Sequence, residues 1–208
     1  MFEKIFQKYK LETNPFILNP SEHKLEQLKY HISKNYSKDV YEALLFAEKA
    51  HGEQKRKYTG EKYIFHPIEV MKIVSTICND DAMFMAALLH DTVEDTKVTI
   101  EEIEEKFGLE VKNIVSDLTD VSKSEDGNRV IRKKIDREHS GNASDKAQTV
   151  KLADLISNSA SIVKHDENFA KIYLKEKALL LNVLVNGNKT LAKIANDILE
   201  ESGEYLRR

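Results

Sequence analysis

Across most of the chain, apolar residues recur at intervals of three and four positions, the spacing that lines one face of an α-helix. Between Ser37 and His51, for example, Val40, Leu44 and Ala47 keep this spacing. Only 7 glycines and 3 prolines occur in 208 residues, so the turns that a multi-stranded fold needs are scarce. The sequence therefore predicts an all-α protein, a single bundle of about eight to ten helices.

Capping residues and helix breakers predict where these helices begin and end. Helix starts are predicted at Ser37, at His66-Pro67, at Asp80 or Asp81, at Thr99 and at Ser144. Gly108 and the run Ser140-Gly141-Asn142 should each end a helix. The predicted helices cover approximately residues 37–51, 66–77, 81–91, 99–107, 109–121, 129–139, 144–165, 167–185 and 189–203, with loops at 52–66 and 122–128.

The N-terminal stretch carries a different pattern. Asn14-Pro15 and Asn19-Pro20 are turn signals, so residues 1–20 are expected to be irregular or to form one short helix. Asn19 or Ser21 could cap a helix that runs to about residue 34. We expect an N-terminal helical arm over residues 1–36 and one domain over residues 37–208, packed as a single globular unit.

Charge and cysteine content exclude several classes of protein. The net charge is −3, from 32 basic and 35 acidic residues, which argues against binding of nucleic acid. Cys78 has no second cysteine to pair with, which suits a reducing cytosol. There is no signal-peptide core at the N-terminus and no apolar run of about 18 residues, so we expect no membrane association and a cytoplasmic location.

One apolar helix ends in a polar cluster. His90, Asp91 and Glu94 fall within about a quadrant of the helix that contains MFMAALLHD, and Asp95 follows Asp91 at i+4 if the helix continues. Burying an imidazole and several carboxylates without a counter-charge is very unfavourable. A divalent cation at this helix end would resolve the problem.

A second helix carries another polar stripe. Lys151, Asp154 and Asn158 lie about a third of a turn from the apolar stripe that includes Leu152 and Ile156. With His66, the two helices offer two imidazoles and two or more carboxylates, a set that favours a first-row divalent ion such as manganese with open positions over a closed zinc site. A water on such an ion has a lowered pKa and can serve as the nucleophile.

Each of these features also has an ordinary explanation. An adjacent His-Asp pair arises by chance, Glu94-Asp95 can be a solvated helix end, and Lys151 can be a surface charge. The sequence context favours a functional role for these residues over the ordinary explanations. Four segments resemble, in order and spacing, successive motifs of the hydrolase domain of RelA/SpoT-type alarmone enzymes, an HD-domain family: AHGEQKRKYTGEKYIFHPIEV (50–70), AALLHDTVEDT (86–96), TIEEIEEKFGLEV (99–111) and VKLADLISN (150–158).

The resemblance extends over roughly residues 38–182 and implies a role for each matching position. It implies that His66, His90, Asp91 and Asp154 bind the metal, usually manganese. Glu94 and Asp95 match the acidic pair implicated in activation of water. Arg56 and Lys57 match a pair near the nucleotide and its phosphates, and Asn158 matches the asparagine of the fourth motif; Lys151 is the remaining candidate for the substrate. The implied reaction removes the 3′-pyrophosphate from ppGpp or pppGpp.

The sequence also departs from the pattern of the bifunctional members. They usually have Arg-Leu-His-Asn-Met-Arg after the aspartate of the fourth motif, where this chain has residues 155–160, LISNSA. The chain is also too short for their synthetase domain, and so resembles the small hydrolase-only members of metazoan SpoT-homologue type. Two alternatives stay open: an HD phosphohydrolase acting on NADPH or another nucleoside phosphate, and a non-catalytic nucleotide sensor.

Other residues near the motifs keep more than one interpretation. A basic stretch before the fourth motif could meet a polyphosphate or could be a solvated helix face; its members are Arg129, Arg132, Lys133 and Arg137. His139 could act near the site or be structural. Tyr58, Tyr63 and Phe65 could stack on a base or pack in the core. The sequence predicts a small-molecule nucleotide as partner and leaves a homo-oligomer open.

Overall fold

Helices form nearly all of the regular structure. The computed structural model describes residues 22–206, and the side chains of all of these except 22, 160, 161, 164 and 205. Within that part of the chain there is no β-strand, only one isolated antiparallel bridge between Lys55 and Lys62. The all-α prediction is confirmed. The described α-helices are α1 Glu22–Asn35, α2 Lys38–His51, α3 Phe65–Ser75, α4 Asp81–Leu89, α5 Thr92–Asp95, α6 Ile100–Leu118, α7 Arg129–Asn142, α8 Asp145–His165, α9 Glu167–Leu181 and α10 Lys189–Tyr205.

The predicted caps begin the helices as expected. Ser37 Oγ accepts a hydrogen bond from the backbone N–H of Val40, and a carboxylate oxygen of Asp80 accepts one from the N–H of Met83. Thr99 and Glu102 form the reciprocal bonds of a capping box. The predicted cap at Asn19 or Ser21 and the irregular stretch before it lie outside the described residues.

The predicted break at Gly108 is confirmed, since its non-helical φ of 86° separates two helical segments that together make up α6 and continue to Leu118. The predicted end at Ser140-Gly141-Asn142 is wrong. Helix α7 runs through Ser140 and Gly141 to Asn142. A Cβ at Gly141 would lie 3.1 Å from Val183 Cβ, so the glycine there serves the close approach of α7 to the chain beyond α9 and does not break the helix.

Helix α4 forms the centre of the fold. Its residues from Met83 to Leu89 are all buried, and it packs against α2, α3, α6 and α8. Helix α8 in turn contacts α3, α9 and α10. Helix α1 adds to the core by burying Leu25, Leu28 and Ile32, and it packs on α2. Because α3, α4 and α8 meet at the core, polar side chains at their ends can converge.

None of the helices in the described part of the chain combines the length and the apolar character that a bilayer span requires.

Candidate metal centre and cleft

The four predicted metal ligands meet at one point, although they come from three separate segments. His66 lies in the first turn of α3, His90 and Asp91 join α4 to α5, and Asp154 lies in the middle of α8. His66 Nε2 is 3.2 Å from Asp154 Oδ1 and 3.6 Å from Asp91 Oδ2. His90 Nε2 is 3.0 Å from Asp91 Oδ2 and 3.8 Å from Asp154 Oδ1. One ligand atom each of His66, His90 and Asp91 lies within 4.8 Å of the other two.

The helix that leads to the His-Asp pair does not continue unbroken to Asp95, a point that the sequence left open. Helix α4 ends at Leu89, and a separate helix of four residues, α5, begins at Thr92. Thr92 Oγ1 donates a hydrogen bond to the carbonyl oxygen of Leu89, which occupies an acceptor at the end of α4. The N–H of Asp95 still donates to the carbonyl oxygen of Asp91, so the acidic pair stays one turn beyond the His-Asp pair.

Hydrogen bonds fix the orientation of both imidazoles. His66 Nδ1 is 2.9 Å from Ser157 Oγ, and that hydroxyl donates its proton to Glu69 Oε2 at 2.8 Å. Ser157 therefore accepts from His66, and Nδ1 of His66 carries a hydrogen. His90 Nδ1 lies 2.8 Å from the carbonyl oxygen of Ala87, which can only accept, so its Nδ1 also carries a hydrogen. Both rings then direct Nε2 at the cluster.

These two nitrogens are the observation that fits a cation. Nε2 of His66 and Nε2 of His90 are buried and have no hydrogen-bond partner, although carboxylate oxygens of Asp91 and Asp154 lie close by. A buried nitrogen with no partner is costly. Two imidazole nitrogens beside two carboxylates form a donor set suited to a divalent first-row metal.

The electrostatics of the cluster also favour a positive charge between its carboxylates and imidazoles. Burial lowers the pKa of His90, but the neighbouring carboxylates of Asp91 and Asp154 outweigh burial and raise it to about 9. Burial opposes ionisation of both carboxyl groups as well. His90 nevertheless keeps the pKa of Asp91 far below its ordinary value, and His66 does the same for Asp154. Protonation of His90 and binding of a cation would therefore compete at this cluster.

The acidic pair lies beside this cluster, each carboxylate with its own neighbours. Asp95 Oδ2 accepts a hydrogen bond from Gln54 Nε2 at 3.0 Å. Glu94 accepts one from the backbone N–H of Asp120. Partial desolvation, helped by the negative charges of Asp120 and Asp91, raises the pKa of Glu94 to about 7 against the opposing charge of Lys151. Glu94 is therefore able to exchange a proton near neutral pH.

A cavity of about 350 Å³ opens next to the cluster, and we call it the cleft. That size accommodates a nucleotide or a large part of one. Charged residues of both signs line the cleft. We call the carboxylates Asp91, Glu94, Asp95 and Asp154 the acidic wall and the cations Arg129, Lys133, Arg137, Lys151 and Lys177 the basic wall. Three further carboxylates, Asp120, Asp136 and Glu176, also line the cleft, and they pair with Lys133 and Arg129. Phe169 and Tyr173 add aromatic surface. Such a combination suits a polyphosphate whose reacting end reaches the acidic wall.

The four predicted substrate residues are placed differently. Lys151 and Asn158 line the cleft, and Asn158 Nδ2 donates to Asp154 Oδ1 at 2.6 Å. Arg56 lies behind the wall, where its Nη2 donates to Asn158 Oδ1 at 3.2 Å and its Nη1 is 3.5 Å from Glu69 Oε2. Lys57 is exposed, with its Nζ 5.8 Å from the centre of the Phe169 ring.

The basic residues of α7 also differ in whether they line the cleft. Arg129 makes a two-pronged ion pair with Glu176, both bonds at 2.8 Å, and Lys133 Nζ is 2.7 Å from Asp120 Oδ2. Arg137 also lines the cleft, whereas Arg132 does not. His139 lies away from the cleft, 3.2 Å from the carbonyl oxygen of Ser116.

The predicted aromatic residues take three different positions. Tyr63 lines the cleft, and its hydroxyl donates to Asp91 Oδ2 at 2.6 Å. Phe65 is buried in the core. The hydroxyl of Tyr58 donates to Asp166 Oδ2 at 3.2 Å.

Several residues of the site carried no local signal in the sequence. Ser157 and Glu69 support His66, and Gln54 supports Asp95, but each of these contacts joins segments 41 to 91 positions apart. Lys177 and Tyr173 enter the cleft from α9, a helix that follows the last recognisable motif. The position of Ser157, three residues after Asp154, was the only hint that it lies near the cluster.

Comparison with known proteins identifies the family. The sequence model of the HD domain matches residues 43–168. The guanosine-3′,5′-bis(diphosphate) 3′-pyrophosphohydrolase MESH1 of Xenopus tropicalis is 44% identical over 122 residues, which are 57% of this chain and 66% of that protein. Human MESH1 is 32% identical over 172 residues, covering 79% of this chain and 94% of the relative.

Two further matches extend the comparison. A guanosine-3′,5′-bis(diphosphate) 3′-pyrophosphohydrolase of Aquifex aeolicus is 44% identical over 102 residues, and the match covers 49% of this chain but only 14% of that much longer protein. A solved structure, described as a metazoan orthologue of SpoT that hydrolyses ppGpp, superposes with a TM-score of 0.73 at 28% identity, over 80% of this chain and 97% of the other. The family model alone spans more than half of the sequence, and the chain therefore belongs to the HD domain family.

Proposed function

We propose that the protein is a manganese-dependent guanosine 3′,5′-bis(diphosphate) 3′-pyrophosphohydrolase. It adds water across the bond between O3′ and phosphorus of ppGpp or pppGpp, so that GDP or GTP and pyrophosphate leave. The observation that carries the proposal is the pair of buried Nε2 atoms of His66 and His90 that have no hydrogen-bond partner, directed at two carboxylates beside a cleft with several cations in its lining. Human MESH1, which the match covers over 94% of its length, is named as a 3′-pyrophosphohydrolase of guanosine 3′,5′-bis(diphosphate), and this supports the same substrate here.

Four side chains would hold the cation: His66 and His90 through Nε2, and Asp91 and Asp154 through carboxylate oxygens. When bound, the cation supplies a Lewis acid that lowers the pKa of a water and polarises a phosphate oxygen. The Nδ1 bonds of the two imidazoles keep their rings in place, which is the usual role of such outer hydrogen bonds. Manganese is proposed because the donor set contains two carboxylates and no thiolate.

The acidic pair handles the proton of the attacking water. Glu94, with its pKa near 7, accepts this proton. Asp95, held by Gln54, orients the water by accepting a hydrogen bond from it. The hydroxyl that remains joins the phosphorus, the bond to O3′ breaks, and a proton ends on O3′, so the reaction balances with one water consumed.

The basic wall of the cleft binds the phosphates. Lys151 and Asn158 lie next to Asp154 on α8, where they can meet the reacting phosphate. Arg56 does not line the cleft; it orients the side-chain amide of Asn158 by donating a hydrogen bond to its oxygen. Lys57, at the surface near Phe169, is assigned to the nucleoside end. Residues 37–208 form the catalytic domain of this proposal, with residues 1–36 as an arm, and the cytoplasm is the proposed location.

A product screen tests the proposal. Purified protein with manganese is incubated with ppGpp, pppGpp, NADPH and deoxynucleoside triphosphates, with Asp154→Ala as control. We expect release of pyrophosphate from ppGpp and none from the variant. Preferred turnover of NADPH or another nucleotide would replace the substrate assignment. Binding of ppGpp without turnover at any divalent metal would instead establish a nucleotide sensor, a reading that the retained acidic pair argues against.

A further inference from the structure

Lys177 differs from the other cations of the cleft in its partners. Arg129, Lys133 and Lys151 each face a carboxylate, at 2.8, 2.7 and 4.0 Å respectively. Arg137 donates a hydrogen bond to the carbonyl oxygen of Lys133. Lys177 has neither an ion pair nor a hydrogen bond with any residue that the structure describes. It is the one cation of the basic wall left without such a partner in the described part of the chain.

The surroundings of Lys177 favour an anionic partner. Its side chain is half-buried, and its ammonium group lies 5.2 Å from the centre of the Tyr173 ring, on the same helix. Partial burial lowers the pKa of Lys177, and the positive charges of Lys151 and Lys133 lower it further, against the attraction of Asp154 and Asp120. An anion that enters the cleft would give Lys177 the charge-assisted hydrogen bond that no described carboxylate provides.

The position of Lys177 indicates which anion fits. Lys177 lines the same cavity as Asp154, a ligand of the candidate metal centre, and as the cations Lys151 and Lys133. An anion that extends from the metal centre into this cavity therefore comes within the surroundings of Lys177. The two phosphate groups of the 3′-diphosphate are joined through one oxygen. With the reacting phosphate at the metal centre beside Asp154, the terminal phosphate is held next to it, in the cavity that Lys151 and Lys177 line.

From this geometry, and resting on the proposed function, we propose that Lys177, together with Lys151, forms a subsite for the terminal phosphate of the 3′-pyrophosphate. Lys177 donates hydrogen bonds to that phosphate and thereby neutralises the leaving group. It is a specificity-determining residue for a substrate with a diphosphate at the 3′ position, since a single phosphate at the metal centre would not extend to it. The 5′-diphosphate lies elsewhere in the cleft.

The experiment measures equilibrium binding of inorganic pyrophosphate and, separately, of GDP, by calorimetry on the full chain with manganese. Lys177→Gln is compared with wild type and with Lys175→Gln, which removes the same charge from an exposed position of α9. We expect Lys177→Gln to weaken pyrophosphate binding about 10- to 100-fold, the size of a lost charge-assisted hydrogen bond. GDP affinity and both affinities of Lys175→Gln should stay within about twofold of wild type. Lys177→Arg, which keeps a donor, should recover part of the loss.

The outcomes separate this subsite from the proposed reaction. An unchanged pyrophosphate affinity in Lys177→Gln, or no measurable pyrophosphate binding by wild type, overturns the subsite even if ppGpp is hydrolysed. Equal losses for GDP and pyrophosphate, or an equal effect of Lys175→Gln, would assign Lys177 a general electrostatic role and also overturn it. If pyrophosphate binding depends on Lys177 while ppGpp is not turned over, the subsite stands and the proposed substrate fails. Should Lys177→Gln not fold, Lys177→Met, which keeps the buried stem, takes its place.

Discussion

Gln54 Nε2 donates a hydrogen bond to Asp95 Oδ2 at 3.0 Å, although 41 positions separate the two residues. The other end of the same amide is 2.8 Å from His51 Nδ1, so both polar atoms of Gln54 are engaged. Helix α5 has only four residues and gives Asp95 little support of its own. The orientation of Asp95 therefore depends on the loop between α2 and α3.

Gln54→Ala is expected to lower kcat about tenfold while the manganese affinity stays unchanged, because Asp95 loses its orienting bond but no metal ligand is altered. Steady-state kinetics and calorimetric titration of manganese measure the two quantities. The neighbouring exposed variant Glu53→Ala serves as control and should match wild type. A kcat equal to that of wild type in Gln54→Ala would show that Asp95 needs no such support.

Ser157→Ala is expected to weaken manganese binding about 10- to 100-fold, since it removes the acceptor that holds the Nδ1–H of His66. Competition with a metal-binding dye gives the dissociation constant. Ser159→Ala is the matched control in the same helix, because the partners of Ser159 Oγ are the carbonyl oxygen of Leu155 and, at 3.5 Å, the hydroxyl of Tyr173, neither of which is a predicted metal ligand. Equal affinities of the two variants would contradict the tautomer assigned to His66.

The raised pKa of Glu94 predicts that the stability of the cation-free protein depends on pH. Its pKa is raised from 4.5 to about 7 on folding, chiefly by desolvation, so the folded state holds the proton more tightly than the unfolded state. The stabilisation is complete below pH 4.5 and is lost as the pH rises to about 7. The free energy of unfolding of Glu94→Gln should therefore rise relative to that of wild type as the pH increases from 4.5 to about 7. Because Glu94 is exposed, screening limits the gain to about 1 kcal/mol.

Urea unfolding of both proteins at pH 4, 5.5 and 7.5 in a chelator measures this difference. A constant gap between Glu94→Gln and wild type at all three pH values would mean that Glu94 titrates at its ordinary pKa.

Chelation is expected to lower the thermal midpoint of wild type, because a cation that binds only the folded state stabilises it. At a free manganese concentration 100 times the dissociation constant, the contribution is about 2.7 kcal/mol. Differential scanning calorimetry with and without chelator tests this. Asp154→Ala, which keeps only three of the four proposed ligands, should show a much smaller shift than wild type, and a manganese-dependent shift as large as that of wild type would argue against Asp154 as a ligand.

Gly187→Ala is expected to reduce the free energy of unfolding by about 1–3 kcal/mol, as overpacking does in a filled core. A Cβ there would lie 2.7 Å from Leu152 Cδ1 and 3.2 Å from the backbone of Gln148, both in α8. Asn186→Ala is the control, since the bond from its backbone N–H to Gln148 Oε1 is kept. Equal stabilities of the two variants, measured by urea unfolding, would contradict the tight packing.

The sequence predicted whatever depends on neighbours along the chain. Ser37, Asp80 and Thr99 cap the helices that they were expected to begin, because a cap binds an N–H only two or three residues away. Gly141 was misread because its role is contact with Val183, some forty positions later. A local breaker and a packing glycine look the same in one sequence.

In the site as well, the residues in sequence motifs could be predicted, and the residues placed only by packing could not. His66, His90, Asp91 and Asp154 stand in recognisable motifs, and the structure brings them together. Arg56 also stands in a motif, yet it contacts Glu69 and Asn158 behind the cleft wall, which only the packing of α3 on α8 reveals. Lys177 belongs to no motif, and only the three-dimensional arrangement places it in the cleft.

The bond between His66 and Ser157 closes a loop of 91 residues. Closing a loop of that size costs entropy that only contacts formed across it can offset, so we expect the bond to form late in folding. A partly folded chain with α2 to α5 in place would still lack Asp154. Under the proposed function, we therefore expect tight manganese binding to appear only in the last kinetic phase of refolding.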